Sequence, residues 1–251
     1  MTHIISVSPD FMPDKISGWF LFNTWLQRLS KEAFHLELYD GFAAQRKDIE
    51  AGKIDMIYAN PFDASMLIRD KGFIPLVCPT GKSDETTIAV PANSSVGEVE
   101  DFQAGLKIAT TDDPDVHLMG MIMLEPAELD ANNTERLTKD NYVLVAKALL
   151  RGEADAGFFL TESFEELSSM VRSELKEVIS SKISVIHHVV MLAPSLAARA
   201  DQFREIFLNM SSDEKGAKIL AELGFTGWQE VSQEDAEFMI DLMDTLLSKQ
   251  A

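Results

Sequence analysis

The sequence predicts an α/β protein of two lobes built alike. Each lobe is expected to be a mostly parallel sheet flanked by helices, and a hinge that the chain crosses twice joins them. Three observations carry this. First, a unit occurs twice, about a hundred residues apart. Ile49-Glu50-Ala51-Gly52-Lys53-Ile54-Asp55-Met56-Ile57-Tyr58-Ala59-Asn60-Pro61-Phe62 and Leu149-Leu150-Arg151-Gly152-Glu153-Ala154-Asp155-Ala156-Gly157-Phe158-Phe159-Leu160-Thr161-Glu162 share one grammar. A helix ends at a Gly free to turn left-handed, an Asp follows three residues on, a short apolar strand runs, and a polar residue or Pro opens the next helix. Second, strand and helix patterns alternate through both halves. Third, a long apolar run at 185–192 is placed to return the chain to the first lobe, giving lobe 1 as 1–83 plus 192–251 and lobe 2 as 84–191. Such an architecture supports hinge closure on a ligand in a cleft between the lobes.

The elements follow in order. Ile4-Ile5-Ser6-Val7 begins a strand over 3–8, and Ser8-Pro9-Asp10-Phe11-Met12-Pro13-Asp14 is a loop. Trp19, Phe20, Phe22, Trp25, Leu26 and Leu29 keep helical spacing over 16–31. Phe34 to Tyr39 alternates as a half-buried strand. A helix at 42–51 leads into the first repeated unit, followed by a helix at 61–70 and a strand at 73–78. The polar turn Pro79-Thr80-Gly81-Lys82-Ser83-Asp84 reads as the first crossing. It is no phosphate loop, because Leu76 stands where that pattern needs Gly. Lobe 2 is expected to hold strands at 86–90, 106–110, 133–137 and 178–180. Its helices are expected at 94–98, on from the stretch Thr111 to His117 through Leu124, at 140–151 and at 162–172. Beyond Ser195 three helices are predicted, over 196–210, 213–223 and 233–248.

Composition narrows the function. The 251 residues are 46% hydrophobic and 25% charged, enough for a sizeable core. A net charge of -19 argues against nucleic acid and anionic membranes as partners. The single Cys78 lies in an apolar run and reads as core. No apolar stretch is long enough to span a membrane. No basic segment followed by a long apolar one opens the chain, so no signal peptide is expected within it. No catalytic motif stands out, and no cofactor is implied. His117 with Asp112, Asp113 and Asp115 fits no calcium loop, and the strand neighbours His187 and His188 point to opposite faces, so no metal site is expected.

Several stretches resemble the type 2 periplasmic binding proteins, in particular the PhnD-like phosphonate/phosphite/phosphate branch that serves ABC transporters. Gly52 to Pro61 is similar to the family's third strand and following helix, and Gly152 to Phe158 to the counterpart in the other lobe. Phe203-Arg204-Glu205-Ile206-Phe207-Leu208-Asn209-Met210 through Gly216-Ala217-Lys218-Ile219-Leu220-Ala221-Glu222-Leu223-Gly224-Phe225-Thr226-Gly227-Trp228 resembles the C-terminal helical pair that ends in an L-G-F-x-G-W/F segment. The resemblance covers nearly the whole chain in order. It implies a monomeric solute-binding protein, a small-molecule ligand, an ABC permease or sensor as partner, and the periplasm if a leader has been removed. Where phosphonate binders of the family open a helix with a Ser/Thr-Ser-Gly run, this chain has Thr110-Thr111-Asp112-Asp113-Pro114-Asp115-Val116-His117. Those carboxylates would repel a dianion, so a neutral or cationic solute, or a weaker anion held elsewhere, is expected.

The candidate ligand residues lie at the carboxyl ends of strands, where open α/β sheets bind ligands. They are Ser8, Asp10 and Phe11; Asn60, Phe62 and Asp63; Thr110, Thr111, Asp113 and His117; and Phe159, Thr161 and Glu162. Ser8, Asn60 and Thr161 fit capping or turn hydrogen bonds as well as ligand contact, and Phe62 and Phe159 fit core packing better. Two other functions suit the same fold. One is a cytoplasmic enzyme resembling those of the menaquinone pathway, with Asp10, Asp113 or Glu162 as general acid or base. The other is the ligand-sensing module of a signalling protein.

Overall fold

The computed structural model describes residues 2–11 and 13–248, with side chains described as far as Thr245. In chain order the elements are β1 (Thr2–Val7), α1 (Ile16–Ser30), β2 (Ala33–Glu37), α2 (Phe42–Glu50), β3 (Met56–Ala59), α3 (Pro61–Lys71) and β4 (Ile74–Pro79). Then come β5 (Thr86–Pro91), β6 (Leu106–Thr110), α4 (Pro114–Met123), β7 (Thr134–Thr138), α5 (Tyr142–Leu150), β8 (Ala156–Leu160), α6 (Thr161–Glu165), α7 (Ser169–Ser173) and β9 (Leu175–Ser180). The last are β10 (Val189–Leu192), α8 (Ala200–Leu208), α9 (Glu214–Leu223), β11 (Trp228–Glu230) and α10 (Gln233–Ser248).

The chain divides into two compact units. Lobe 1 takes the residues up to Ser83 together with His187–Thr245, and lobe 2 takes Asp84–Ile186. Lobe 1 is a six-stranded sheet in the order β11-β4-β10-β3-β1-β2, and lobe 2 a five-stranded sheet in the order β7-β6-β8-β5-β9. The expected two α/β sheets are therefore present. Their strands, however, are mixed rather than mostly parallel. β1 pairs in parallel with β2 and β3, while β10 runs antiparallel between β3 and β4. In lobe 2, β6 is parallel to β7 and β8, and β5 is antiparallel to β8 and β9. Parallel pairs need a crossover helix. β5 and β10 each follow a crossing without one, and both pair antiparallel.

The second crossing lies at Ile186/His187 rather than after Met191, because β10 from Val189 already belongs to the lobe 1 sheet. The strand expected over 185–192 shortens accordingly. The helix expected over 162–172 is two short ones, since the Ser168 hydroxyl accepts from Val171 N–H and restarts the helix. The short helix expected at 94–98 is a single 3₁₀ turn at Val99–Asp101. The three-residue strand β11 was not expected; it closes one edge of the lobe 1 sheet against β4.

The repeated unit shows why its residues recur. Gly52 and Gly152 both adopt positive φ, at 65° and 68°. Asp55 and Asp155 then perform one task in each lobe. Asp55 Oδ2 accepts from Ile4 N–H at 2.9 Å, and Asp155 Oδ2 accepts from Lys107 N–H at 3.0 Å. Their own amides donate back to the carbonyls of Ile4 and Lys107. Each aspartate thus fixes the start of its strand against the neighbouring parallel strand.

Lobe 1 buries apolar residues on both faces of its sheet. Trp19, Phe22, Trp25, Phe203, Phe207 and Trp228 fill one face, and Ile49, Ile57, Leu67, Cys78, Met191 and Met239 the other. Lobe 2 has one continuous core around Ile108, Val145, Phe158 and Phe164. Among the described residues no helix is long and apolar enough to cross a membrane.

Candidate functional site

In lobe 1 the candidate residues gather at the carboxyl ends of β1 and β3. Ser8 follows β1 directly and its amide donates to Tyr58 O at 2.8 Å. The loop after it carries Asp10, whose buried carboxylate meets His188 Nε2 at 3.0 Å. Burial works against the charge on Asp10, but the charge and hydrogen bond of His188, with help from Ser8, outweigh it, and the carboxyl titrates below its ordinary range. The Ser8 hydroxyl is close enough to favour that charge yet makes no hydrogen bond of full geometry among the described residues. The His188 ring stacks on Tyr58 with centroids 4.8 Å apart. Tyr58 in turn meets Trp19 and Phe225, making an aromatic wall beside the ion pair.

A second ion pair, with a buried carboxylate and a partly exposed guanidinium, stands nearby. Arg46 grips Asp63 through Nε at 2.6 Å and a terminal nitrogen at 3.2 Å. Burial pushes the Asp63 carboxyl up against the pull of Arg46, and the charge of Asp10 adds to the rise. The Arg46 guanidinium lies over the rings of Phe42 and Phe62, 5.2 and 5.0 Å from their centroids. Asn60 caps α3 by accepting from Asp63 N–H at 2.7 Å, and its amide nitrogen is buried without a hydrogen-bond partner among the described residues. Phe62 is half-buried under Arg46, and Phe11 is half-buried against the lobe 1 core.

In lobe 2 the decisive feature is the start of α4. Asp113 is its N-cap. One carboxylate oxygen accepts from the Asp115 and Val116 amides at 3.0 and 3.4 Å, and the other accepts from the Tyr142 hydroxyl at 2.9 Å. Pro114 has no N–H, and the His117 amide donates to Asp113 O. The N–H groups of the first turn of α4 are therefore satisfied by the chain itself. Thr110 and Thr111 are buried, and Thr110 Oγ1 has no hydrogen-bond partner among the described residues. The Thr111 carbonyl accepts from Arg136 at 2.8 Å. Burial, reinforced by the positive Arg136, lowers His117 to about 4, so its imidazole is neutral at physiological pH.

At the end of β8 the candidates part ways. Phe159 is fully buried between Tyr142 and Phe164 and is a core residue rather than part of any ligand surface. Thr161 and Glu162 are half-buried at the start of α6. The Thr161 hydroxyl joins a chain through Thr87 to Ser180, with steps of 2.9 and 2.7 Å. A depression of about 440 Å³ in the same lobe, lined by Phe102, Leu106 and Ala154 among others, lies at the opposite end of the sheet and touches none of these residues.

Sequence reasoning missed His188, Arg46, Tyr58, Tyr142 and Arg136. His188 directly precedes β10, whose four residues are all buried, so the apolar run that follows the two histidines was the available signal that the second of them is buried while His187 stays half-exposed. Among the described residues no group of three or more His, Cys, Asp or Glu is placed to hold a metal.

Residues 5–236 match the family described as ABC transporter, phosphonate, periplasmic substrate-binding protein. Among solved structures, PhnD1 from Prochlorococcus marinus in complex with methylphosphonate superposes with a TM-score of 0.84 at 12% identity, over 98% of each chain. A binding protein component of an ABC phosphonate transporter from Pseudomonas aeruginosa gives 0.81 at 14% identity, over 97% of this chain and 86% of that one. The periplasmic aliphatic sulphonate binding protein SsuA from Escherichia coli gives 0.70 at 14% identity, over 99% of this chain and 92% of that one. At these identities the likeness is one of fold. Comparison with curated protein sequences gives no match.

Proposed function

The chain belongs to the phosphonate-type periplasmic substrate-binding proteins of ABC transporters, and from that premise we propose that it carries a neutral or cationic small solute in the periplasm and presents it to a permease. Each lobe contributes one set of ligand groups. Lobe 1 offers Asp10, Phe11, Tyr58, Asn60 and Phe62, and lobe 2 offers Thr110, His117, Thr161 and Glu162. No bond is made or broken. Contacts made by both sets to one solute shift the population of lobe arrangements, and the partner reads that shift.

The observation that carries the choice of solute is the filled N-terminus of α4. Asp113 occupies with its own carboxylate the donors an oxyanion would use. Val116, His117 and Leu118 supply no hydroxyl there, and the neutral His117 supplies no charge. Arg136 is already turned to Thr111 O and is flanked by Asp112 and Asp113. A dianion brought to this surface would lose its hydration and meet carboxylates in place of donors.

Thermal unfolding against a panel of solutes tests this. A solute at a hundred times its dissociation constant adds about 2.7 kcal/mol of stability. An upward shift is expected from a neutral or cationic organic solute, and none from methylphosphonate, phosphate or alkanesulfonates. A shift produced by the oxyanions alone would overturn the assignment.

A further inference from the structure

The two crossings are tied to each other inside lobe 2 by one side chain, that of Glu85. It follows the first crossing at Ser83/Asp84 and reaches the segment that leads to the second, at Ile186/His187. One carboxylate oxygen accepts from the Ser181 hydroxyl and from the Ile183 amide at 3.0 Å, and the other accepts from the Ser184 amide at 2.6 Å. Three donors from four consecutive residues thus converge on one carboxylate. Hydrogen bonds to an ionised acceptor are about twice as strong as neutral ones.

Backbone pairing continues the bond pattern on either side. Asp84 N–H donates to Ile186 O at 2.7 Å, and Ser181 N–H donates to Thr86 O at 2.9 Å. The Ser181 hydroxyl also accepts from Thr86 N–H at 2.9 Å. Between these pairs the segment makes a turn that Ser184 completes with φ of 60°, a left-handed conformation unfavourable for a residue with a side chain. The Glu85 carboxylate holds the amide of that residue. Without it the turn has a reason to relax.

The same residue reaches the candidate ligand groups. The Glu85 carbonyl accepts from Thr161 N–H at 2.7 Å, at the start of α6 where Thr161 and Glu162 stand. Glu85 therefore contacts both the crossing segment and the start of α6, which carries the candidate ligand residues Thr161 and Glu162.

We propose that Glu85 is a hinge latch: a positioning residue whose carboxylate fixes the path of the second crossing and so limits how freely one lobe moves against the other. This goes beyond the solute reading and stands whatever the solute is. The latch sets the spread of lobe arrangements before any solute arrives, and the strained Ser184 turn is the part of the segment that relaxes once the carboxylate is lost.

The test uses the whole chain without added solute. Glu85→Gln keeps the shape and removes the charge, and Ser181→Ala removes one donor and leaves Glu85 intact. Amide hydrogen exchange is read at Ile183 and Ser184. In parallel, spin labels on Glu50→Cys and Lys147→Cys, exposed positions in lobe 1 and lobe 2, report the spread of distances between the lobes, with the buried Cys78 left in place. Glu85→Gln is expected to speed exchange at both amides about tenfold or more and to broaden the distance distribution, with a smaller effect of the same sign from Ser181→Ala. The reading is overturned if either the exchange or the distance spread of Glu85→Gln matches that of the unaltered protein.

Discussion

His188→Ala is expected to destabilise the protein by about 3–5 kcal/mol at neutral pH, the loss that follows when one partner of a buried ion pair is removed. The partner left behind is Asp10, whose side chain is 4% exposed. The pH dependence carries a sign that a simple packing loss would not show. In the unaltered protein the carboxyl of Asp10 lies below its ordinary value. Its contribution to stability is therefore present above the carboxylate range and is lost as pH falls through the folded value. Once His188 is gone, burial, the largest influence on Asp10, is opposed only by the weaker hydrogen bonds of Ser8 and the local backbone, and the carboxyl rises. Its contribution then declines as pH rises through the raised value. Urea unfolding of both proteins between pH 4 and pH 7.5 should show the gap widening toward neutral pH. A gap constant with pH would mean that His188 serves by packing on Tyr58 alone.

Arg46→Met is expected to cost a similar amount, about 3–5 kcal/mol at neutral pH. Methionine preserves apolar contact with Phe42 and Phe62 but leaves the Asp63 carboxylate buried, at 1% side-chain exposure, without its opposite charge. Burial already holds Asp63 above its ordinary value, even with Arg46 present. A carboxyl raised on folding binds protons more readily in the folded state, so its contribution falls as pH rises through the raised value. The variant should therefore recover part of its loss on mild acidification. Adding Asp63→Asn to Arg46→Met should restore most of the stability at neutral pH, because the uncompensated charge is gone. A double variant as unstable as the single one would remove the buried charge as the cause.

Much of the fold was legible because its signals are local. Gly52 and Gly152 end helices through their own backbone freedom, and Asn60 and Asp113 cap helices through residues two and three positions on. The repeated unit exposed two similarly built lobes because each must fix a strand start with an aspartate. Pairing direction was not legible. The antiparallel placement of β10 between β3 and β4 depends on how the chain returns, and its apolar run reads the same either way. The site shows the same division. Asp10 and Asp63 stood out as carboxylates at strand ends. Their partners did not, since His188 is 178 positions from Asp10 and Arg46 is 17 from Asp63, separations beyond any helical or strand period. Phe159 carried two readings, core and ligand wall, for a related reason. At a strand end an aromatic residue can face core or ligand, and only the packing of Tyr142 and Phe164 around it decides.

Asp113 fills the start of α4, and on that ground this member of a phosphonate-binding family is proposed to carry a solute other than an oxyanion. Calorimetric titration of the purified protein with methylphosphonate at neutral pH and low salt tests it most directly. The account predicts no saturable heat at millimolar ligand. Saturable one-to-one binding would contradict it, and would mean that the Asp113 carboxylate yields its place or that the anion is held by other groups.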